Sequence, residues 1–172
     1  MPQRTDTFDL APLGLRSGDG RRFDLHVAID DFHYGGEPYA VAPPLVPVRV
    51  DVSRTTNLGW ALRLRFTAGL EGPCMRCLEP AAPEFEVDAR EVSQPGGGEE
   101  LSSPYLGEDE VLHLGQWARD ALALELPGQL TCREDCAGLC GQCGANLNED
   151  PEHRHEAAPD SRWAKLGELK FE

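Results

Sequence analysis

Four stretches of this chain alternate apolar and polar residues with a period of two. In 23–29 the apolar set is Phe23, Leu25, Val27 and Ile29; in 45–52 it is Val46, Val48, Val50 and Val52, with Arg49 and Asp51 between them. The longest stretch, 58–70, places Leu58, Trp60, Leu62, Leu64, Phe66, Ala68 and Leu70 on one face. In 84–92, Phe85, Val87 and Ala89 oppose Glu84, Glu86, Asp88 and Arg90. A strand with this pattern buries one face only, which predicts an antiparallel sheet. Short connections such as 53–57 predict a meander.

The rest of the chain follows other rules. Residues 93–109, SQPGGGEELSSPYLGED, carry few apolar anchors and predict a flexible acidic linker. Residues 114–126 then show helical spacing, with Trp117, Ala121 and Leu124 on one face and Leu114, Ala118 and Leu122 beside it; Pro127 ends the run. The tail of that run, ALALEL, also reads as a strand. Near the end, Asp160 is placed to cap a short helix bearing Trp163, Leu166 and Leu169. The expected fold is therefore α+β, an antiparallel β meander sheet with one packed helix and a cysteine-rich, zinc-stapled C-terminal segment. Its expected parts are a β domain over 1–92 with a C-x2-C loop, the linker over 93–109, and the helix with the cysteine-rich segment over 110–172.

Six cysteines fall in three close pairs: Cys74/Cys77, Cys132/Cys136 and Cys140/Cys143. His153 and His155 follow the last pair. The first residues, MPQRTDTFDLAPLGLRSG, contain no apolar signal core, and no apolar run reaches the ~20 residues a membrane helix needs. A cytoplasmic protein is expected, and reduced thiols in close pairs there point to metal. A C-x2-C turn aims two sulfurs at one point, and two such turns complete a tetrahedron around Zn²⁺. In Cys140-Gly-Gln-Cys143-Gly144 the glycines let the backbone fold tightly around the thiolates, which is the knuckle form. The preferred arrangement has two sites: Cys74 and Cys77 with Cys132 and Cys136, and Cys140 and Cys143 with His153 and His155. The first would close a loop of 54 intervening residues, removing about 4 kcal/mol of denatured-state freedom. A single ribbon of Cys74, Cys77, Cys140 and Cys143, or one local site from Cys132 to Cys143, satisfies the same spacing.

Charge narrows the function classes. The chain carries a net −14, and residues 81–172 account for −13 of it. That field repels phosphates and favours basic partners, although acidity also serves solubility alone. Arg49, Arg63 and Arg65 lie on the polar sheet face, where a row of arginines could meet phosphates, but cross-strand pairing with Glu84 and Glu86 is the expected use. His26 and His33 are isolated and receive no role. The chain holds no phosphate-binding glycine loop, no G-x-S-x-G and no H-E-x-x-H. Cys136, Cys140 and Cys143 reproduce the C-x3-C-x2-C spacing of radical cluster enzymes, yet only 29 residues follow, too few for the scaffold such chemistry requires. Zinc held by four protein ligands has no open position, so its role here is structural.

These motifs together resemble a known family. Cys74-Met-Arg-Cys-Leu-Glu-Pro80, then Cys132-Arg-Glu-Asp-Cys136-Ala-Gly-Leu-Cys140-Gly-Gln-Cys143-Gly-Ala-Asn-Leu-Asn148, and the terminal Asp160-Ser-Arg-Trp-Ala-Lys-Leu166 are similar in order and spacing to the YceD family. These are the large ribosomal RNA subunit accumulation proteins of bacteria and plastids, and the likeness spans roughly 45–170. It implies a non-enzymatic ribosome-biogenesis factor supporting 23S rRNA synthesis, processing or accumulation. The implied partner is a basic ribosomal protein or pre-ribosomal particle, with at most weak or indirect rRNA contact. No membrane and no small-molecule substrate is expected. Family genes commonly neighbour that of a small basic large-subunit protein. Two departures stand out. His153-Arg-His155 replaces a C-x-C of many relatives and keeps plausible zinc ligands, and Asp160-Ser-Arg162 replaces Asp-Pro-Arg. Some relatives lack parts of the cysteine set, which implies that one or two zinc ions serve stability in this branch. The alternative readings are a zinc-stabilised adaptor unrelated to ribosomes and, last, a metal-cluster enzyme.

Overall fold

A computed structural model describes residues 2–155; the expected terminal helix with Asp160, Trp163, Leu166 and Leu169 lies outside the described residues. Nine strands and one α-helix are described: β1 (Phe8–Asp9), β2 (Gly20–Val27), β3 (Phe32–Tyr34), β4 (Glu37–Ala42), β5 (Val46–Arg54), β6 (Trp60–Pro73), β7 (Pro80–Ala81), β8 (Glu84–Ser93), β9 (Val111–Leu112) and α1 (Leu114–Glu125). Contacts divide the chain into two compact units, one ending at Cys136 and one beginning at Ala137.

The strands of the first unit all pair antiparallel. β6 is the spine. One of its edges pairs first with β5 (Val50↔Leu64, Val52↔Leu62) and then, further along, with β4 (Val41↔Leu70). Its other edge pairs with β8 (Leu64↔Ala89, Phe66↔Val87) and then β7. Thus β5, β6 and β8 form the expected meander, while β2 joins on the outside of β5 (Leu25↔Val48). The inward set is the one the alternation dictates: Val46, Val48, Val50, Val52, Trp60, Leu62, Leu64, Phe66, Ala68 and Leu70 are all buried. Burying a side chain of this size contributes about 1.5–3 kcal/mol each, which fixes the register, since a one-residue slip would expose the whole set.

α1 lies against β8 and β2 and buries Leu114, Trp117, Ala118, Ala121 and Leu122. The helical reading of ALALEL holds as far as Glu125; Leu126 is extended, and Pro127 follows. Tyr105, from the 93–109 segment, stacks on Trp117 with ring centres 6.2 Å apart and donates its hydroxyl to Asp120 at 3.3 Å.

Two apolar residues depart from expectation. Leu58 sits in a turn closed by the Thr55 N–H on the Gly59 carbonyl, with φ +57°, and is 64% exposed; the inward register starts at Trp60 instead. Leu124 is 86% exposed, because the buried arc of α1 is centred near Leu114 and Ala118, with Trp117 at its edge, and Leu124 falls just outside that edge.

Candidate metal centres

β6 runs past its last inward residue, Leu70, to Pro73 and so delivers Cys74 to the end of the sheet. There the chain folds back tightly. The Cys74 N–H donates to the Glu79 carbonyl at 2.8 Å, the Leu78 N–H to the Cys74 carbonyl at 2.9 Å, and the Arg76 N–H to the Cys74 sulfur at 3.5 Å. The segment after α1 docks on this turn through buried Leu130. The Met75 N–H donates to its carbonyl at 2.8 Å, and the Leu130 N–H donates to the Met75 sulfur at 3.3 Å. Cys132 and Cys136 are thereby set opposite the first pair.

The resulting geometry can be tested against coordination chemistry. The Cys74 and Cys136 sulfurs stand 3.8 Å apart and those of Cys77 and Cys132 3.6 Å; all four lie within 4.8 Å of one another. Thiolates bound at ~2.3 Å to a tetrahedral zinc are about 3.8 Å from one another. A disulfide would bring two sulfurs to about 2.05 Å, and none of the six cysteines is disulfide-bonded. The donor set therefore fits a tetrahedral ion.

The second unit repeats the turn. The Cys140 N–H donates to the Ala145 carbonyl at 2.8 Å and the Gly144 N–H to the Cys140 carbonyl at 2.8 Å. Gly144 has φ +76° where the first turn has Leu78 at +65°. The Cys140 sulfur lies 3.3 Å from His155 Nε2 and the Cys143 sulfur 3.2 Å from His153 Nε2, while the two Nε2 atoms are 2.9 Å apart. These four donors also fall within 4.8 Å of one another. Asp150 Oδ2 is 3.7 Å from His153 Nδ1. A carboxylate on that side favours the tautomer that leaves the Nε2 lone pair free for a metal. Asp150 was not singled out in the sequence, where it is one acid in an acidic run; its spacing of three before His153 is the signal that could have found it.

Backbone dipoles prepare both groups. Burial pushes the Cys74 thiol up, but the N–H groups of Cys77, Arg76 and Cys132 outweigh it and bring the thiol down to about 6. For Cys140 the N–H groups of Gln142 and Cys143 dominate, again giving about 6. Cys132 goes the other way, to about 12, through burial and the neighbouring sulfurs of Cys77, Cys136 and Cys74. The Glu79 N–H pulls Cys77 down, yet burial and the Cys74 and Cys136 sulfurs leave it raised. Crowded thiols resist giving up a second proton unless a cation joins them. A tetrahedral ion held by all four donors of either group would have no coordination position open for substrate.

Of the three groupings compatible with spacing, the structure brings together Cys74, Cys77, Cys132 and Cys136 as one group and Cys140, Cys143, His153 and His155 as the other. Arg49, Arg63 and Arg65 of the sheet face are paired, though not with the expected Glu84 and Glu86. Arg63 Nε donates to Asp88 at 2.7 Å, Arg65 and Arg22 share Asp51 at 2.6 Å each, and Arg49 donates to Asp24 at 2.9 Å. The register explains the change. Asp88 stands opposite Arg65, Asp51 opposite Arg63, and Asp24 opposite Arg49, whereas Glu86 faces Thr67 and Glu84 faces Gly69.

Residues 62–170 match the family described as Large ribosomal RNA subunit accumulation protein YceD. An uncharacterized protein of Mycobacterium tuberculosis is 36% identical over 170 residues, covering 95% of this chain and 80% of its own length, and one of Mycobacterium leprae is 29% identical over 171 residues, covering 94% and 76%. The chloroplastic large ribosomal RNA subunit accumulation protein YCED homolog 1 of Zea mays is 29% identical over 144 residues, covering 62% of this chain and 48% of that protein. No solved structure matches the chain significantly.

Proposed function

Because the chain belongs to the YceD family of large ribosomal RNA subunit accumulation proteins, we propose that it is a non-enzymatic factor supporting the synthesis, processing or accumulation of 23S rRNA during large-subunit assembly. The family match carries this reading, since it spans both ligand groups. In the reading, Cys74, Cys77, Cys132 and Cys136 hold one zinc ion, and Cys140, Cys143, His153 and His155 hold a second. Bound zinc cross-links these segments and supplies no reaction. Backbone N–H groups hold the Cys74 and Cys140 thiols below the usual thiol range, which favours their losing a proton to the ion.

The partner is a basic protein of the large subunit or a particle that carries it. Net charge supports this over direct phosphate binding: residues 81–172 carry −13, and Arg22, Arg49, Arg63 and Arg65 on the outward sheet face are engaged by Asp24, Asp51 and Asp88. Among the described residues no helix is long and apolar enough to cross a membrane.

The test combines cells and purified protein. Cells without the gene should accumulate less mature 23S rRNA, and the wild-type chain should restore it; unchanged 23S rRNA overturns the reading. Protein purified without added metal should carry two zinc ions per chain, whereas iron with visible absorbance would reinstate the cluster enzyme. Large-subunit proteins should remain on the bait after nuclease treatment. Their complete loss would favour RNA as the contact.

A further inference from the structure

The two cysteine turns are the same backbone built with different residues. In each, the first cysteine's N–H bonds to the carbonyl five residues on, and the residue after the second cysteine adopts positive φ. At that position the second turn has Gly144, which adopts it freely, while the first has Leu78 at +65°. Its backbone N–H closes the turn on the Cys74 carbonyl, but its side chain gains little from the fold in return, since Leu78 is 67% exposed. A leucine held in a disfavoured backbone state and kept out of the core points to a role outside the fold.

Its surroundings indicate what that role is. Leu78 borders a surface depression of about 470 Å³ whose other walls include Gly72, Pro73, Pro80 and Ala81, with Glu71 at its edge. Gly72 pairs with Ala81 and Pro73 with Pro80, so the floor is a two-residue ladder that ends in prolines. Proline offers no N–H, so an incoming chain finds apolar surface there in place of a strand edge to extend. Glu71 and Glu79 are exposed, and neither carboxylate joins an ion pair among the described residues. An apolar hollow with unneutralised carboxylates beside it is complementary to an apolar side chain flanked by lysine or arginine.

We propose that Leu78 and the depression beside it form the docking point for a basic protein segment that inserts one apolar side chain between Leu78, Pro73 and Ala81 and sets its flanking cations against Glu71 and Glu79. The proposal rests on the reading that the chain serves ribosome assembly through a basic protein partner, and it names the surface for that contact. The zinc-binding turn then acts as a rigid mount for the leucine.

The test uses the full-length, metal-loaded, nitrogen-15-labelled protein and a synthetic peptide of about eleven residues with one central leucine among lysines and arginines. Amide shifts should move at Glu71, Gly72, Leu78, Glu79, Ala81 and Ala82. Leu78→Gly suits the turn and should keep its full metal content, yet should weaken binding about tenfold, as expected for losing one buried leucine contact. Glu71→Gln with Glu79→Gln should weaken binding and flatten its salt dependence. A peptide with serine for the central leucine should bind as poorly as the Leu78→Gly variant does. Equal binding by Leu78→Gly overturns the proposal, as do shifts centred on the arginine face of the sheet. Concentration-dependent shifts at Leu78 without peptide would also overturn it, by assigning the surface to a second copy of this chain. The assay needs only purified protein and stands whatever the 23S rRNA measurement returns, so the two readings fail separately.

Discussion

At the scale of single residues, the conformations of Leu78 and Gly144 lead to opposite expectations. A left-handed conformation costs a residue with a Cβ roughly 1–2 kcal/mol, and glycine's freedom in the unfolded chain returns part of that. Leu78→Gly should therefore stabilise the first unit by about 0.5–1 kcal/mol, read as a raised urea midpoint at full metal content. Gly144→Ala should destabilise the second turn by a similar amount. Asp51 offers a pH-dependent case. The hydrogen bond from Arg22 holds its carboxyl below the usual carboxylate range, against an opposing effect of burial, and Arg65 adds to the lowering. A folded-state value below the unfolded one, about 3.9 for aspartate, means the stabilisation is complete above that pH and is lost as pH falls through the folded value. Asp51→Asn should thus cost about 1 kcal/mol, a modest figure because Arg22 is largely exposed. The deficit should stay constant from pH 8 to pH 5 and shrink only below about pH 4. A deficit that already narrows between pH 7 and pH 5 would contradict the depressed carboxyl.

At the scale of elements, the two ligand groups should release metal differently. Cys74, Cys77 and Cys136 are buried, whereas Cys143 and His155 are exposed and two of the four donors in that group are imidazoles. Excess chelator should remove one zinc per chain quickly and the other slowly, followed with a zinc indicator dye. Cys140→Ser should abolish the fast phase, leave about one equivalent bound, and expose the segment after Ala137 to protease. Simultaneous release of both ions would contradict two independent groups. The turns were legible in advance because C-x2-C spacing is local and chemically specific, and β5, β6, β8 and α1 because their periodicity runs long enough to be unambiguous. β3 and β4 were not: Gly35, Gly36 and Pro38 interrupt them, and β4 contributes only Tyr39 and Val41 to the core. What defines β4 is its place on the second half of one β6 edge, beyond β5, a non-local pairing that no window of sequence carries. The positive φ of Leu78 was hidden for a different reason: the turn that imposes it is local, but nothing in leucine announces it.

At the scale of the whole molecule, charge could be read from the sequence, but its arrangement could not. A net −14 says that phosphate is repelled on average, while Arg22, Arg49, Arg63 and Arg65 suggest a local exception. The cross-strand register removes that exception by setting Asp24, Asp51 and Asp88 among them, so the polar sheet face carries little surplus positive charge. Partner choice should follow the acidic field. Association with a purified basic large-subunit ribosomal protein should weaken as salt rises from 50 to 300 mM, chiefly through a slower on-rate, because screening acts on steering across exposed surfaces. A naked 23S rRNA fragment should bind weakly even at the low end, since Arg22, Arg49, Arg63 and Arg65 are already engaged by aspartates and would have to leave them to displace its counterions. Binding to that fragment with a steep inverse dependence on salt would place phosphate contacts on this protein after all, and the Arg–Asp lattice of β2, β5, β6 and β8 would then have to open to make them.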